Sequence, residues 1–400
     1  MANRIKFNVI ILYFLLWVIY NLQGVFYASG SLISRAVLLL ILLWSMILAF
    51  KVNLNPVKIP SFLKSVNVFL IFTSIYGVLL IISGRELYVT EGMIAKVPNI
   101  EYLKNIYISL LPFYVFYYYA VHGKLTYRHV LLFSICLLFV GMLNFYHSRA
   151  EAFIQAAQRG ISRDGFTLNV GYDFLALMPL LLFWKKRPMI QFALLLCCVI
   201  YIVMSMKRGA ILIAVLCFIY FLYSIFRTSR GSTRVGIVVL SVVAIIVSVI
   251  LVNDLFQTNE YFVSRIEQTL EGDSSNRGDL YSTYFNHFIA ESNFLKFFFG
   301  NGANATLSIG YNYAHNDWLE IAINNGLLGV IIYIWYFISL FRDYRREKKH
   351  SLVYADVILM ALIIMFTSSL FSMSYASLNT AFPIAVGFVL AKTYNNCPNI

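Results

Sequence analysis

The chain has 400 residues, of which 60% are hydrophobic and only 12% are charged, and its mean hydropathy is +0.76. Soluble domains are about half apolar and about a quarter charged, so this composition excludes a water-soluble fold and indicates an integral membrane protein. The formal net charge is +13, and the way in which it is distributed along the chain accounts for it without a nucleic-acid partner.

Apolar runs recur along the whole chain, each near the ~20 residues that cross ~30 Å of hydrocarbon. They predict an all-α integral membrane protein of about 12 transmembrane helices, in which residues 1–400 form a single polytopic domain. The predicted helices are 7–27, 36–50, 66–82, 105–121, 130–146, 168–184, 189–205, 209–226, 235–252, 318–340, 352–373 and 379–392.

The basic residues predict the orientation. With the N-terminus inside, 19 of the 31 Lys and Arg residues fall in the segments that this topology places in the cytoplasm, against 3 of the 18 Asp and Glu residues. Cytoplasmic segments of membrane proteins carry such an excess of Lys and Arg. Both termini are therefore predicted to be cytoplasmic, and the isoelectric point of 9.4 reflects membrane topology.

Two predicted extracytoplasmic segments, 147–167 and 253–317, are too long for simple turns. Loops longer than ~12–15 residues are usually functional or disordered. The segment 253–317 is rich in tyrosine and phenylalanine, which disfavours disorder and predicts short helices lying against the membrane surface. We therefore expect a large helical outer loop to carry much of the chemistry.

A candidate anion site lies at a predicted helix start within this loop. The stretch 275–279 has the N-cap residue types and the first-turn acid of such a start. Free N–H groups and a fixed cation meet there, so Arg277 is a candidate phosphate-binding residue. A solvated arginine on an interfacial helix is the alternative. The helical spacing predicts one shared face for Arg277, Tyr281, Tyr284 and Phe288.

Two further motifs flank predicted helices at the outer side. Lys207 and Arg208 lie between two apolar runs, where cations are either functional or anchors that snorkel to the interface. The stretch 315–318 closes the outer loop. His315 could accept a proton near neutral pH, with Asp317 or a backbone carbonyl fixing its tautomer. An ordinary polar histidine is the alternative.

Cofactor motifs are absent, because the sequence has no metal-ligand spacing, no Walker A loop and no dinucleotide-binding glycine fingerprint. We therefore expect neither a metal nor another cofactor. Basic side chains, a histidine and aromatic surfaces suited to sugars share the outer side. This set suits transfer from a diphosphate-linked donor to a hydroxyl, since fixed cations can stabilise the charge that develops on the leaving diphosphate.

Several of these motifs together resemble the O-antigen ligase and polymerase superfamily. The resemblance covers about residues 200–340. Its features, in chain order, are the Arg-Gly pair within 206–210, Arg265 and Arg277 in a long loop, the G-x-G turn 300–302, and the stretch 315–329, which begins His-Asn and ends Gly-Leu-Leu-Gly.

The resemblance implies a GT-C-like glycosyltransferase of the bacterial inner membrane, with a periplasmic active site and an undecaprenyl-diphosphate-linked glycan as donor. It implies that Arg208 and Arg277 bind the diphosphate, with Arg265 matching the family pattern less closely. His315 would activate or orient the acceptor hydroxyl. The supporting residues are Lys207, Asn316 and Asp317.

The acceptor divides this family. Polymerases, which join lipid-linked repeat units, have been described with an R-x10-G pattern in each of two periplasmic loops. Arg149 and Gly160 fit that spacing in the first loop, whereas neither Arg265 nor Arg277 fits it in the second. We favour an O-antigen or capsular polysaccharide polymerase, for which a chain-length regulator is a conceivable partner. The alternative is an O-antigen ligase, whose acceptor is the lipid A core.

Two other classes of protein remain open. A membrane transporter is suggested by charges near helix breaks, but transporters place such groups near the bilayer midplane and often have repeated halves. Here the charges cluster at one rim and no repeat is visible. A membrane scaffold would not need these side chains at all, so that Arg208→Ala and His315→Ala would remain active in cells.

Overall fold

The computed structural model describes residues 8–54, 59–89, 95–159, 167–228, 277–372 and 374–395, together with isolated positions between 231 and 267. The structure is 80% helical with almost no sheet, which confirms the all-α prediction. The predicted helix 235–252 and Arg265 fall outside the continuously described ranges.

The first part of the chain forms helices and one small hairpin. In chain order these are α1 (Val9–Asn21), α2 (Leu32–Leu54), α3 (Ser61–Ser83), β1 (Leu87–Val89), β2 (Ala95–Val97), α4 (Ile100–Leu110), α5 (Pro112–Val121), α6 (Tyr127–Arg159), α7 (Gly171–Leu181) with a 3-10 extension (Leu182–Lys186), α8 (Pro188–Met204) and α9 (Arg208–Thr228). The two strands pair antiparallel, with Tyr88 opposite Lys96. Pro112 separates α4 from α5, because proline has no N–H to donate.

The second part begins with short helices and ends with long ones. In chain order these are α10 (Arg277–Ile289), α11 (Phe294–Phe299), α12 (Ala305–Ile309), α13 (Asp317–Glu347), α14 (Leu352–Phe371) and α15 (Ala381–Asn395). The short helices α10 to α12 lie in the predicted outer loop. The part of this loop that the structure describes is therefore largely helical, as its aromatic content indicated.

Six of the described helices are long and apolar enough to cross a membrane, namely α2, α3, α6, α9, α13 and α14. Three others, α1, α8 and α15, are apolar but shorter. Apart from 235–252, each predicted helix has a helical counterpart at its position. The total of about 12 spans and the GT-C-like class stay predictions.

Helix α6 is longer than predicted. We expected a helix at 130–146 and then a loop, whereas α6 continues to Arg159. Hydropathy detects only the part of a helix that lies in hydrocarbon, so a polar extension beyond the membrane surface escapes it. The extension carries His147 and Glu151 to the cavity described below.

The packing is that of a protein surrounded by lipid. Helices α5, α7 and α15 form the centre, and their side chains are mostly buried. Helix α13 packs against both α3 and α14, and α15 packs against α5. The outer faces of α2, α3 and α9 carry exposed aliphatic side chains such as Leu40, Ile71 and Leu216. An apolar surface this extensive on a monomer marks contact with a membrane.

The helix ends collect at two rims. At one rim α9 ends where α14 begins, and Arg227 pairs with Asp356 at 2.7 Å. At the same rim α13 ends beside the start of α3, and the Asp343 carboxylate accepts the Phe62 N–H at 2.9 Å. At the opposite rim the starts of α7, α9, α13 and α15 surround a cavity.

Helix α13 is broken within its span. The sequence predicts one helix at 318–340, whereas Gly326 has φ +67° and ψ −168°, a conformation that only glycine adopts readily. The G-x-G turn 300–302 packs against the break and donates two backbone N–H groups, at 2.9 Å each, to the carbonyl oxygens of Ile323 and Asn324. Backbone groups freed in a membrane helix must be satisfied by protein, and this turn satisfies them.

Gly326→Ala should therefore destabilise the protein strongly. A β-carbon at this position would lie 2.5 Å from both Phe298 O and Gly300 N, and the backbone conformation alone costs a non-glycine residue ~1–3 kcal/mol. Both neighbours are backbone atoms, so neither can rotate away. The expected result is a much lower thermal midpoint in detergent.

The matched control is Gly84→Ala. Gly84 has φ +61°, but nothing lies within 4 Å of a β-carbon built there, so this variant measures the cost of positive φ without a clash. Equal thermal midpoints for the two variants would contradict the role assigned to the break.

Candidate active site

A cavity of about 1150 Å³ opens at the rim where α7, α9, α13 and α15 begin. The start of α10 also contributes to its wall. Each helix start carries the positive end of a peptide dipole, so the convergence favours an anionic ligand. Pockets for drug-sized ligands measure ~300–1,000 Å³. This cavity is therefore large enough for a bigger molecule such as an oligosaccharide.

Two predicted cations line this cavity, Lys207 and Arg277. Arg208 is the first residue of α9 and is half-buried, but it is not among the lining side chains. The structure thus brings Lys207, expected in a supporting role, to the cavity more directly than Arg208, the expected diphosphate ligand.

The glycine of the Arg-Gly pair permits close packing. A β-carbon at Gly209 would lie 2.7 Å from the Tyr172 hydroxyl and 3.7 Å from Phe371 Cβ. Arg277 Nη1 in turn donates to the Phe371 carbonyl oxygen at 3.2 Å. Phe371 therefore links the start of α9 to the start of α10, and the Arg-Gly pair and Arg277 lie at one place.

The predicted face of α10 is observed. The Tyr281 hydroxyl donates to the His315 carbonyl oxygen at 3.2 Å, and the Tyr284 hydroxyl donates to Asn312 O at 2.6 Å. Burial raises the pKa of the Tyr281 phenol, and the neighbouring Arg277 guanidinium offsets part of that rise. The inward-facing side chains of α10 are Arg277, Tyr281, Tyr284 and Phe288.

His315 lies two residues before the start of α13, and its side chain lines the cavity. Its φ is +51°, in the left-handed region where histidine is more frequent than most residues. Asn316 caps α13, accepting the N–H groups of Trp318 at 2.9 Å and Leu319 at 3.2 Å. Its amide also donates to Leu370 O at 3.1 Å. Asn316 therefore fixes the backbone from which His315 projects.

The described contacts of Asp317 are with Tyr333 and with the loop that follows α14. The side chain is fully buried and accepts hydrogen bonds from Ser374 N at 2.8 Å, Ser374 Oγ at 2.5 Å and Tyr375 N at 3.1 Å. The Tyr333 hydroxyl donates to it at 2.7 Å. This carboxylate anchors the loop between α14 and α15 to α13. These contacts give no support to the hypothesis that it fixes the tautomer of His315.

Glu320 was not predicted as a site residue. It is fully buried, and its carboxylate accepts hydrogen bonds from Thr306 Oγ1 at 2.6 Å, Ala314 N at 2.8 Å and Asn324 Nδ2 at 3.0 Å. Thr306 and Ala314 bound the segment that leads to His315, so Glu320 ties this segment to α13. An acid in a first helical turn is common, so Glu320 carries no distinct sequence signal for this role.

Glu320→Ala should loosen the segment that leads to His315. The substitution removes the acceptor of three buried donors, and each unpaired donor costs ~1–3 kcal/mol. We expect a lower thermal midpoint and faster limited proteolysis between Thr306 and Ala314. Glu320→Gln keeps one acceptor oxygen, so its segment between Thr306 and Ala314 should stay largely protected against proteolysis.

The control for this effect is Glu86→Ala, since Glu86 is an exposed carboxylate beside the hairpin. Its proteolysis rate should equal that of the wild type. If Glu320→Ala were cleaved no faster than Glu86→Ala, the role assigned to Glu320 would be wrong.

The cavity thus brings together Lys207, Arg277 and His315. Arg265 lies outside the described residues, so its role in diphosphate binding stays a prediction. Within the described ranges, no three His, Cys, Asp or Glu side chains are grouped as a metal site would need.

Fold and site together define a multi-pass α-helical membrane protein with a polar cavity at one rim. Residues 193–334 match the family model described as O-antigen ligase. The resemblance to the O-antigen ligase and polymerase superfamily is thereby confirmed over this part of the chain. No curated protein matches the chain significantly. The family indicates a glycosyltransferase-like enzyme of O-antigen ligase or polymerase type, in a bacterial inner membrane.

Proposed function

We propose that the chain is an O-antigen, or capsular polysaccharide, polymerase that joins undecaprenyl-diphosphate-linked repeat units at the periplasmic face of the inner membrane. The observation that carries this proposal is the single cavity lined by Lys207, Arg277 and His315. Two fixed cations and one side chain able to accept a proton suit transfer from a diphosphate donor to a hydroxyl.

The donor diphosphate is held by Lys207 and Arg277, with Arg208 beside them at the start of α9. The anomeric C–O bond to the diphosphate breaks, and the undecaprenyl diphosphate departs with the electron pair. Its developing charge is stabilised by the two cations and by the converging helix starts. These groups supply the stabilisation that a metal ion would otherwise provide, so we expect the reaction to be metal-independent.

The acceptor hydroxyl is activated or oriented by His315. Its oxygen forms the new bond to the anomeric carbon, and its proton passes to the imidazole. The hydrogen bond from Tyr281 to the His315 carbonyl and the cap at Asn316 support this role, since both fix the backbone on which the imidazole stands.

A periplasmic site is supported by the distribution of charge. The rim opposite the cavity carries Arg227 and the basic end of α13, residues 342–349. An excess of Lys and Arg marks the cytoplasmic side of a membrane protein. The cavity then faces the periplasm, and both termini are cytoplasmic.

The choice of acceptor rests on a narrower observation. Arg149, which fits half of the polymerase pattern, lies on the extension of α6 and stacks on Phe153 at 5.5 Å. Its neighbours His147 and Glu151 line the cavity, whereas Arg149 is not itself among the lining side chains and Gly160 lies outside the described residues. Ligase activity toward the lipid A core is the second candidate, because the matching family is described as O-antigen ligase.

The test is a reaction of the purified protein with one defined undecaprenyl-diphosphate oligosaccharide, with and without lipid A core. A polymerase forms a ladder of longer lipid-linked chains from the donor alone. A ligase forms product only when the core is present. If the protein, reconstituted in vesicles, moved the glycan across the vesicle membrane without elongating it, the result would indicate a transporter instead.

A further inference from the structure

Besides its basic residues and histidines, the cavity is lined largely by amides, hydroxyls and carboxylates. Such side chains are donors and acceptors that can pair with neutral hydroxyl groups, and the carboxylates among them disfavour phosphate. Among them Asp173, in the first turn of α7, lies beside Asn379, the residue that precedes α15 by two positions.

The amide of Asn379 has a fixed orientation. Its Oδ1 accepts the Ala381 N–H at 2.9 Å, which caps α15, and its Nδ2 donates to Asp173 Oδ1 at 2.8 Å. Among the described residues, Asn379 Nδ2 is the hydrogen-bond donor to the Asp173 carboxylate. Asp173 Oδ2 and the second hydrogen of Asn379 Nδ2 then form an acceptor and a donor side by side.

Two buried carboxylates at this rim have more donors. Asp317 has four hydrogen bonds and Glu320 has three, and each ties a loop to α13. At the opposite rim Asp356 pairs with Arg227. Asp173 instead has one donor, has no ion pair among the described residues and faces the cavity. A charged group kept in this way near a membrane is a candidate for ligand binding.

The residue before Asp173 lies close to one of the basic residues. The preceding residue, Tyr172, lies within electrostatic reach of Arg277, and its hydroxyl packs over Gly209. A carboxylate repels a diphosphate, so its ligand is a neutral part of the substrate. In a direct displacement the acceptor sugar must enter beside the carbon that carries the diphosphate.

We propose that Asp173 and Asn379 bind the acceptor sugar through one of its hydroxyl groups. That hydroxyl donates to Asp173 Oδ2 and accepts from Asn379 Nδ2, a pairing that matches both of its hydrogen-bonding capacities. The ligand class is the neutral terminal sugar of the acceptor glycan. This inference rests on the proposed function, because it assigns the acceptor side of the same cavity.

The test uses the full-length protein in detergent, with a lipid-linked repeat unit whose acceptor hydroxyl is chemically blocked as donor, and the unblocked repeat oligosaccharide, without its lipid, as acceptor. Asp173→Asn should raise the KM for the acceptor by about 10- to 100-fold, the loss expected for a hydrogen bond to a charged group. The KM for the donor should stay unchanged. Asn379→Ser, which keeps a capping side chain but removes the amide donor, should raise the acceptor KM as well.

The matched control is Asp343→Asn, because Asp343 is a carboxylate at the opposite rim. The KM of this variant for the acceptor should equal that of the wild type. An unchanged acceptor KM in Asp173→Asn would overturn the inference, and so would an equal rise in the donor KM. A wild-type protein that forms no product would instead refute the proposed function. Thermal midpoints close to wild type establish that each variant is folded.

Discussion

Arg277→Ala should lower kcat by about 10²–10³-fold, the loss seen when one fixed group that stabilises developing negative charge is removed. The guanidinium reaches the cavity from the start of α10, where the helix dipole adds to its charge. Its removal leaves Lys207 and Lys96 as the lining cations, and Lys96 is paired with Glu86. Arg277→Lys keeps the charge but loses the planar fork that grips phosphate, so an intermediate rate is expected. The measurement is the initial rate of elongation of a defined lipid-linked donor.

The matched control is Arg85→Ala. Arg85 is an exposed arginine that follows α3, and it is not among the side chains that line the cavity. Because Arg277 also donates to the carbonyl of Phe371, the thermal midpoint must be measured with the rate. A wild-type rate in a folded Arg277→Ala protein would show that Arg277 is not part of the donor site.

His315→Asn should lower kcat by about 10²–10⁴-fold, the range that positioned acid–base groups contribute. Asparagine is the appropriate replacement because it tolerates the left-handed backbone that His315 adopts at φ +51°. The variant therefore keeps the geometry of the loop and loses only the basic nitrogen. We expect little change in the KM for the donor, since the imidazole acts on the acceptor hydroxyl.

His287→Asn serves as the comparison, since His287 lies in the last turn of α10 and is not among the residues lining the cavity. Its rate should match that of the wild type. Comparable rates for His315→Asn and His287→Asn would show that the imidazole of His315 takes no part in the reaction.

Of the four helix starts around the cavity, α9 and α13 could be predicted from the sequence to within one residue, whereas α7 and α15 begin three and two residues after the predicted starts at 168 and 379. The structure begins α9 at Arg208 and α13 at Asp317, against predicted starts at 209 and 318. Polar residues at the membrane boundary and a capping asparagine mark these positions, and both signals are local. The inward face of α10 was predictable for the same reason, because it depends only on helical spacing.

The break at Gly326 was not predicted from hydropathy, because the average over 318–340 is apolar although Asn324 and Asn325 directly precede the glycine. Its stability depends on the G-x-G turn, which lies more than twenty residues earlier in the chain. Glu320 and Asp173 were missed for a related reason. A carboxylate near a helix start has the same sequence signal whether it caps the helix, ties down a loop or faces a cavity, and only tertiary contacts distinguish these cases.

The proposed mechanism requires the cavity to hold a lipid diphosphate between Lys207 and Arg277. Cryo-electron microscopy of the protein with saturating undecaprenyl diphosphate would show whether it does. We expect diphosphate density within ~3 Å of the Lys207 ammonium and the Arg277 guanidinium, the length of a charge-assisted hydrogen bond. Density at the opposite rim beside Arg227, or an empty cavity at saturating lipid, would refute this mechanism.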